Sequence, residues 1–272
     1  SRGDPVITVH WRGRTWGEWT PGTTAITQAP GLENWAAAAS NTTGGGRAGA
    51  TPGPLLGQPG APVIEMLVLA NSDGQMAELL DDIRSASYHD DPLEELPLTY
   101  TVSGAAALTV FARCTNRQIP SDWETIDRMR QARVQLGFEC TDPFSYVDES
   151  TTSFEVGDHA DVTVAGYAPT ERWTWTVAGP VVNPRLTVHA SGFDDQVMRM
   201  VGTVADGQEL VVTSTPSTFR ARLEDIDVYQ LFDGGVHTIP VQYPRLPAGP
   251  VRITFGGSGA GTSTFVYRGA KP

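Results

Sequence analysis

The chain has 272 residues with 40% hydrophobic content, enough to bury the core of one large domain or two ordinary ones, which excludes disorder of the whole chain. Nineteen Lys+Arg against 31 Asp+Glu leave a formal charge of -12, a field that repels phosphate and argues against a broad nucleic-acid-binding surface while leaving room for a local basic patch. Two cysteines, Cys114 and Cys140, are too few for a disulfide scaffold or a four-thiolate zinc site. No apolar run approaches the roughly 18 to 20 residues that cross a bilayer, and no charged start precedes an apolar stretch. The reading is therefore no membrane partner, no signal peptide, and synthesis in a reducing cytosol.

Twenty-nine Gly and 20 Pro punctuate short alternating runs, the pattern of a mainly β chain. In chain order, residues 40 to 62, from Ser40 through Gly44–Gly49 to Ala61, are rich in Gly, Pro, Ser and Thr and read as a long exposed loop. Val63 to Leu69 reads as a strand. Ser72-Asp-Gly-Gln75 then opens a helix running from Gly74 to Ser87, because Met76, Leu79, Leu80, Ile83 and Ser87 form one stripe opposite Glu78, Asp81 and Asp82. A strand at Leu96 to Val102 is followed by alternation at Leu108, Val110, Ala112 and Cys114. A second capping box, Ser121-Asp-Trp-Glu124, precedes Ile126 and Met129 and predicts a short helix. Val134, Leu136, Phe138 and Cys140 alternate again, and the strand ends in an Asp142-Pro143 turn.

The polar stretch from Thr141 to Ser153 marks a boundary, giving domains at 1–150 and 151–272. Beyond it, strands are predicted at Ala160 to Val164, at Trp173, Trp175 and Val177, at Arg185 to Ala190, at Glu209 to Ser214, at Val251, Ile253 and Phe255, and at Thr264 to Arg268. Their length and spacing suit two β-sandwich-type domains, the first carrying the helix.

Candidate chemistry is thin. Gly256-Gly-Ser258-Gly-Ala-Gly261 resembles a nucleophile elbow, but no helix pattern follows the serine, and a strand-connecting loop is the reading. Neither this stretch nor Gly44–Gly49 has the Gly-Lys-Ser/Thr ending that holds a triphosphate. The five histidines, His10, His89, His159, His189 and His237, never pair at metal-ligand spacing; His89-Asp-Asp91 and Asp158-His159-Ala-Asp161 sit in turn-like segments. The adjacent carboxylates Asp81/Asp82, Glu94/Glu95 and Asp194/Asp195 read as solvated faces, since glycoside hydrolysis needs carboxyls opposed across a cleft. Cys114 and Cys140 both end inward-facing strand patterns; the reading leaves a bond between them open and favours reduced, buried thiols. Arg2-Gly-Asp4 and Asn41-Thr-Thr43 carry no specificity outside an adhesive or glycosylated context. No catalytic, cofactor-binding or metal residue is assigned, and the chain is read as not an enzyme.

The stretch Phe111-Ala-Arg-Cys-Thr-Asn-Arg-Gln-Ile119-Pro120, then Val134 to Cys140 with Thr-Asp-Pro143-Phe-Ser-Tyr146, resembles the distal tail protein family of siphophages. Gly179-Pro-Val-Val-Asn183-Pro-Arg-Leu-Thr-Val188, Gly207 to Thr213 and Leu246 to Gly256 resemble the family's carboxy-terminal galectin-like sandwich. The resemblance implies an amino-terminal belt domain that assembles edge to edge into a ring, commonly hexameric, joining the tail tube to the tip or baseplate hub. It further implies tail tube and hub proteins as partners, DNA only as cargo through the lumen, no cofactor, and a place at the distal tail tip of the virion after assembly in the host cytoplasm. The net acidity accords with a conduit that does not hold DNA. Asn183-Pro-Arg185 also resembles the sugar-binding strand of galectins, but Val181 stands where a histidine is expected and the Trp-Gly-x-Glu partner is missing, so lectin activity is not carried over.

The rival reading is a carbohydrate-binding host-recognition module, with Trp173 and Trp175 as stacking platforms. Their alternation with Thr174 and Thr176, in line with Val177, predicts burial instead. The loop at 40–62 is expected to be an assembly element, disordered when free and ordered by neighbours.

Overall fold

A computed structural model describes residues 6–17, 22–32, 37–39, 42–43, 50–51, 55–57, 60–88, 94–102, 105–120, 130–216, 218–232 and 244–271. The fold is mainly β with one α-helix among the described residues, and the chain divides into two units, Ser1–Ser145 and Tyr146–Pro272.

The first unit holds strands β1 (Ile7–Trp11), β2 (Arg14–Trp16), β3 (Thr24–Gln28), β4 (Ala37–Ala39), β5 (Thr42–Thr43), β6 (Ala50–Thr51), β7 (Leu55–Gly57), β8 (Val63–Leu69), helix α1 (Asp73–Ser87), and strands β9 (Leu96–Val102), β10 (Leu108–Gln118) and β11 (Gln131–Glu139). β1 and β2 form a hairpin around Arg12 and Gly13, both at positive φ, the two-residue turn whose twist suits antiparallel strands. One antiparallel ladder runs β2-β1-β9-β10-β11-β8-β3. Its middle strand changes partner: Leu108 to Ala112 pair with β9 and Arg113 to Gln118 with β11, with a register shift between Cys114 and Asn116. Its two end strands also meet, since Gly17 N–H donates to Thr24 O at 2.7 Å.

Period-two alternation sends Ile64, Met66, Val68, Val134, Leu136 and Phe138 inward with Val9, Trp11, Leu98, Tyr100 and Val110. Helix α1 adds Met76, Leu80, Ile83 and Ala86 to this core. Ser72 caps the helix by accepting from Gln75 N–H at 3.2 Å, and the Gln75 side chain reaches back to accept from Asn71 N–H at 2.7 Å, a capping box whose return bond falls one residue before the cap. Arg130 ties the start of the helix to β11 through Asp73 at 3.0 Å and the Asn71 carbonyl at 2.6 Å.

The segment read as a long exposed loop at 40–62 contains strands. Ala37 to Ala39 pair with Gly57 to Leu55, and Thr42 and Thr43 pair with Thr51 and Ala50, so the two ladders nest as one hairpin with a one-residue shift between them. Runs of two or three residues are too short to show a period, which is why composition dominated the reading. The helix predicted after Ser121 lies outside the described residues, as do Arg2–Asp4, Asn41, Gly44–Gly49, His89–Asp91 and His237.

The second unit comprises β12 (Ser145–Glu155), β13 (His159–Val164), β14 (Trp173–Ala178), β15 (Val181–Ala190), β16 (Gln196–Arg199), β17 (Thr203–Val204), β18 (Glu209–Ser214), β19 (Phe219–Leu223), β20 (Ile226–Asp227), β21 (Gly249–Gly259) and β22 (Thr262–Lys271). One sheet orders β12-β22-β14-β18-β19-β20 and the other β13-β21-β15-β16, with β17 also on β15. Their inner faces share a single core: Trp173, Trp175, Val177, Leu210, Val212 and Phe265 from the first, Val181, Leu186, Val188, Val251, Ile253 and Phe255 from the second. Fully burying one such large apolar side chain stabilises the fold by about 1.5–3 kcal/mol. Gly166 and Gly269 let two backbones touch near the chain end: a Cβ on Gly269 would lie 1.8 Å from Ala165 O, and one on Gly166 2.1 Å from Ala270 O.

Candidate functional site

The sequence motifs that bear on catalysis dissolve into structural roles. Gly256 to Gly259 form the end of strand β21, with Ser258 paired to Val182, so the stretch is no nucleophile elbow, and of the connecting loop it was read as only Ala260 and Gly261 join two strands. Glycine and serine leave the pleat without an apolar rhythm, which hid the strand. Asp161 is held by Arg252 through two bonds of 2.7 and 3.1 Å, and this guanidinium keeps its carboxyl below the usual aspartate range. Asp158 caps a turn by accepting from Glu155 N–H at 3.3 Å. His159 therefore sits beside a surface ion pair.

Of the carboxylate pairs, Asp82 meets Arg14 at 2.6 Å, Glu95 accepts from Thr141 N–H at 2.7 Å, and Asp195 contacts His189 Nδ1. Among the described residues no three His, Cys, Asp or Glu side chains gather where a metal ion would fit.

Both cysteines are free thiols. Cys140 is fully buried, whereas Cys114 is only half-buried because it stands at the register shift of β10; burial still pushes its thiol up to about 11. The Asp142-Pro143 turn is built as read: Asp142, 2% exposed, accepts from Phe144 N–H at 3.1 Å. Arg113 in the preceding strand pairs with Glu139 directly opposite at 2.9 Å.

Trp173 and Trp175 are 3% and 0% exposed, so neither offers a stacking platform to a sugar. Trp173 donates to Pro244 O at 2.7 Å and lies against Phe265, with ring centroids 5.6 Å apart. Asn183 is likewise committed to the fold. It adopts a left-handed φ of 50° at the bulge of β15, donates its N–H to Gly202 O at 2.7 Å, and accepts from Gly202 N–H through its side chain at 3.0 Å.

The described surface of the first unit carries a row of polar side chains. On the outer face of the first unit, Gln28, Glu65, Gln135 and Gln118 stand in one row across β3, β8, β11 and β10. With Thr27 and Arg133 they line an open groove of about 330 Å³. A row of amides around one carboxylate can donate to and accept from a bound chain, but it contains no nucleophile for a base to activate. Sequence reasoning missed this row because β3 was not read as a strand, and the row exists only through cross-strand register.

No protein-family profile and no curated protein matches the chain. Solved structures do. The crystal structure of the Dit protein of phage SPP1, described as a paradigm of the hub adsorption apparatus in phages infecting Gram-positive bacteria, matches with a TM-score of 0.62 and 14% identity over 97% of this chain and 99% of its own. A chain of the phage P2 baseplate in its activated conformation with calcium matches at 0.60 and 7% identity over 98% of both, and one from the strontium form at 0.58. This chain therefore shares its fold with those phage hub and baseplate proteins, in accord with the distal tail resemblance read from its sequence.

Proposed function

We propose that this chain is a structural subunit of a phage tail tip that assembles into a ring joining the tail tube to the tip hub. The observation that carries the reading is the match of nearly the whole chain, both units included, to the SPP1 hub protein and the P2 baseplate chains. Homo-oligomeric contacts, six-fold by the resemblance, are assigned to the first unit.

We place those contacts on a different element from the main ladder. Edge-to-edge pairing of the main ladder was the expectation, yet its end strands β2 and β3 are already tied by Gly17 and Thr24. The hairpin of β4 to β7 pairs only within itself among the described strands, which makes it the element free to reach a neighbour. The second unit, a galectin-like sandwich by sequence, decorates the outside.

Native mass spectrometry of the purified chain, alone and mixed with the tail tube protein, tests the proposal. Closed rings in either sample are the expected result; a protein that stays monomeric in both, and is missing from intact tail tips, overturns it. Deleting residues 40–54 is expected to leave both cores folded and abolish the ring.

A further inference from the structure

Three arginines converge on one exposed tyrosine at the carboxy-terminal end of α1. Tyr88 closes the helix with its N–H bonded to Ser85 O, and it is 58% exposed. Arg12, from the turn between β1 and β2, donates to the Tyr88 carbonyl. The Arg117 guanidinium, near the end of β10, stands over the Tyr88 ring at 6.0 Å from its centroid. Arg84, one turn back along α1, donates to Pro120 O at 2.7 Å, three residues beyond Arg117.

None of the three guanidinium groups forms an ion pair with a described residue, whereas Arg14, two residues after Arg12, is held by Asp82 at 2.6 Å. Carbonyls and an aromatic face satisfy donors without cancelling charge. Positive charge therefore gathers at this spot on a chain whose formal charge is -12. The negative end of the helix accounts for Arg84 in its last turn and for one nitrogen of Arg12. It does not account for Arg117, which comes from another element and makes no hydrogen bond to a described residue.

The layout narrows the ligand. Arg12 and Arg117 are both exposed, and a guanidinium with open donors holds a carboxylate at two points. Between them the tyrosine ring offers apolar surface, and tyrosine with arginine is the pairing that protein interfaces favour. A polyphosphate or DNA strand satisfies the arginines but leaves the ring in water, and its many charges meet the field of an acidic chain. Two or three carboxylates beside one aliphatic side chain answer both the charge and the ring.

We propose that this surface docks a short acidic segment of a partner protein of different sequence, one in which Asp or Glu residues flank an aliphatic one. Arg12 and Arg117 take the carboxylates, the Tyr88 ring takes the aliphatic side chain, and Arg84 adds its charge from behind. The proposal stands independently of the ring, whose contacts are assigned to the hairpin of β4 to β7.

The test uses the full chain and a fluorescently labelled ten-residue peptide with Asp pairs on either side of a central leucine, followed by anisotropy at low and high salt. Saturable binding is expected, weakened by salt, lowered about tenfold or more by Arg12→Glu and by Arg117→Glu, and lowered about threefold by Tyr88→Ala. Arg220→Glu, which makes the same change in net charge at an exposed strand position of the second unit, is expected to leave it unchanged. Thermal midpoints of all variants are taken alongside, and Arg12→Asn, suited to the left-handed φ of 46° at that turn, replaces Arg12→Glu if that variant unfolds. Polyphosphate displacing the peptide at equal charge concentration would overturn the peptide assignment in favour of a general anion site. Self-association lost in both arginine variants, with no peptide bound by the parent chain, would overturn it in favour of a second copy. No saturable binding by the parent chain, or equal loss in Arg220→Glu, would overturn the site itself.

Discussion

Trp11 in the first unit and Trp175 in the second are both essentially inaccessible, yet their indole N–H groups meet different fates. Trp11 Nε1 donates to Ala86 O at 3.0 Å, whereas Trp175 Nε1 has no hydrogen-bond partner among the described residues. The difference follows from what each core is made of. A helix leaves its last carbonyls without intrahelical donors, so α1 presents the core with an acceptor that needs filling. Two packed sheets spend most of their carbonyls in their own ladders: Trp173 reaches one outside them, Pro244 O, whereas Trp175, in the middle of its strand, reaches none among the described residues.

Several substitutions break or sharpen this contrast. Trp11→Ala and Trp175→Ala are each expected to cost about 3–5 kcal/mol, because cavity formation dominates in both units and hides the contrast. Denaturant unfolding measures this. Phenylalanine separates them: Trp11→Phe leaves the Ala86 carbonyl unpaired and is expected to cost about 1–3 kcal/mol more than Trp175→Phe, which removes an unsatisfied donor. Equal costs for the two would show that the Ala86 bond contributes nothing. Ser72→Ala removes the helix cap and is expected to lower stability by about 1 kcal/mol, with helical signal lost at low temperature before the global transition.

The smallest effects come from titration. Burial raises the Cys114 thiol from 9.0 to about 11, so its contribution is fully present below about 9 and lost as the pH rises through about 11. Native protein at pH 8 is accordingly expected to react far more slowly at Cys114 with a thiolate-directed reagent than unfolded protein does. Asp161 moves the other way. Its pairing with Arg252 lowers the folded carboxyl, so the contribution is present above the ordinary aspartate value and lost as the pH falls through the folded one. Both groups are exposed and the effect on stability is slight, but an NMR titration is expected to show the carboxyl returning to its ordinary range in Arg252→Gln.

Elements with a clear rhythm were legible in the sequence. Met76, Leu80 and Ile83 reported the buried stripe of α1, Ser72 and Gln75 reported its cap, and the alternation at Val134 to Phe138 and Trp173 to Val177 reported strands with one buried face. The amino-terminal hairpin was missed although Ile7, Val9 and Trp11 alternate, because its turn is Arg12-Gly13 and not one of the asparagine or aspartate pairs that advertise such turns. The cross-strand rows were invisible for a deeper reason. Gln28, Glu65, Gln135 and Gln118 lie on four strands, and Arg185 meets Arg199 only through the pairing of β15 with β16. Nothing local in the chain encodes such rows.

The partner exchange along β10 bears on how the first unit comes apart. Its amide hydrogens are shared between two halves of one ladder, Leu108 to Ala112 on one side and Arg113 to Gln118 on the other, with no break in the chain between them. Neither half can fray without stripping protection from a strand that the other half needs. Deuterium uptake across β1, β9, β11 and β8 is therefore expected to proceed as one cooperative event, slow and uniform, rather than spreading inward strand by strand.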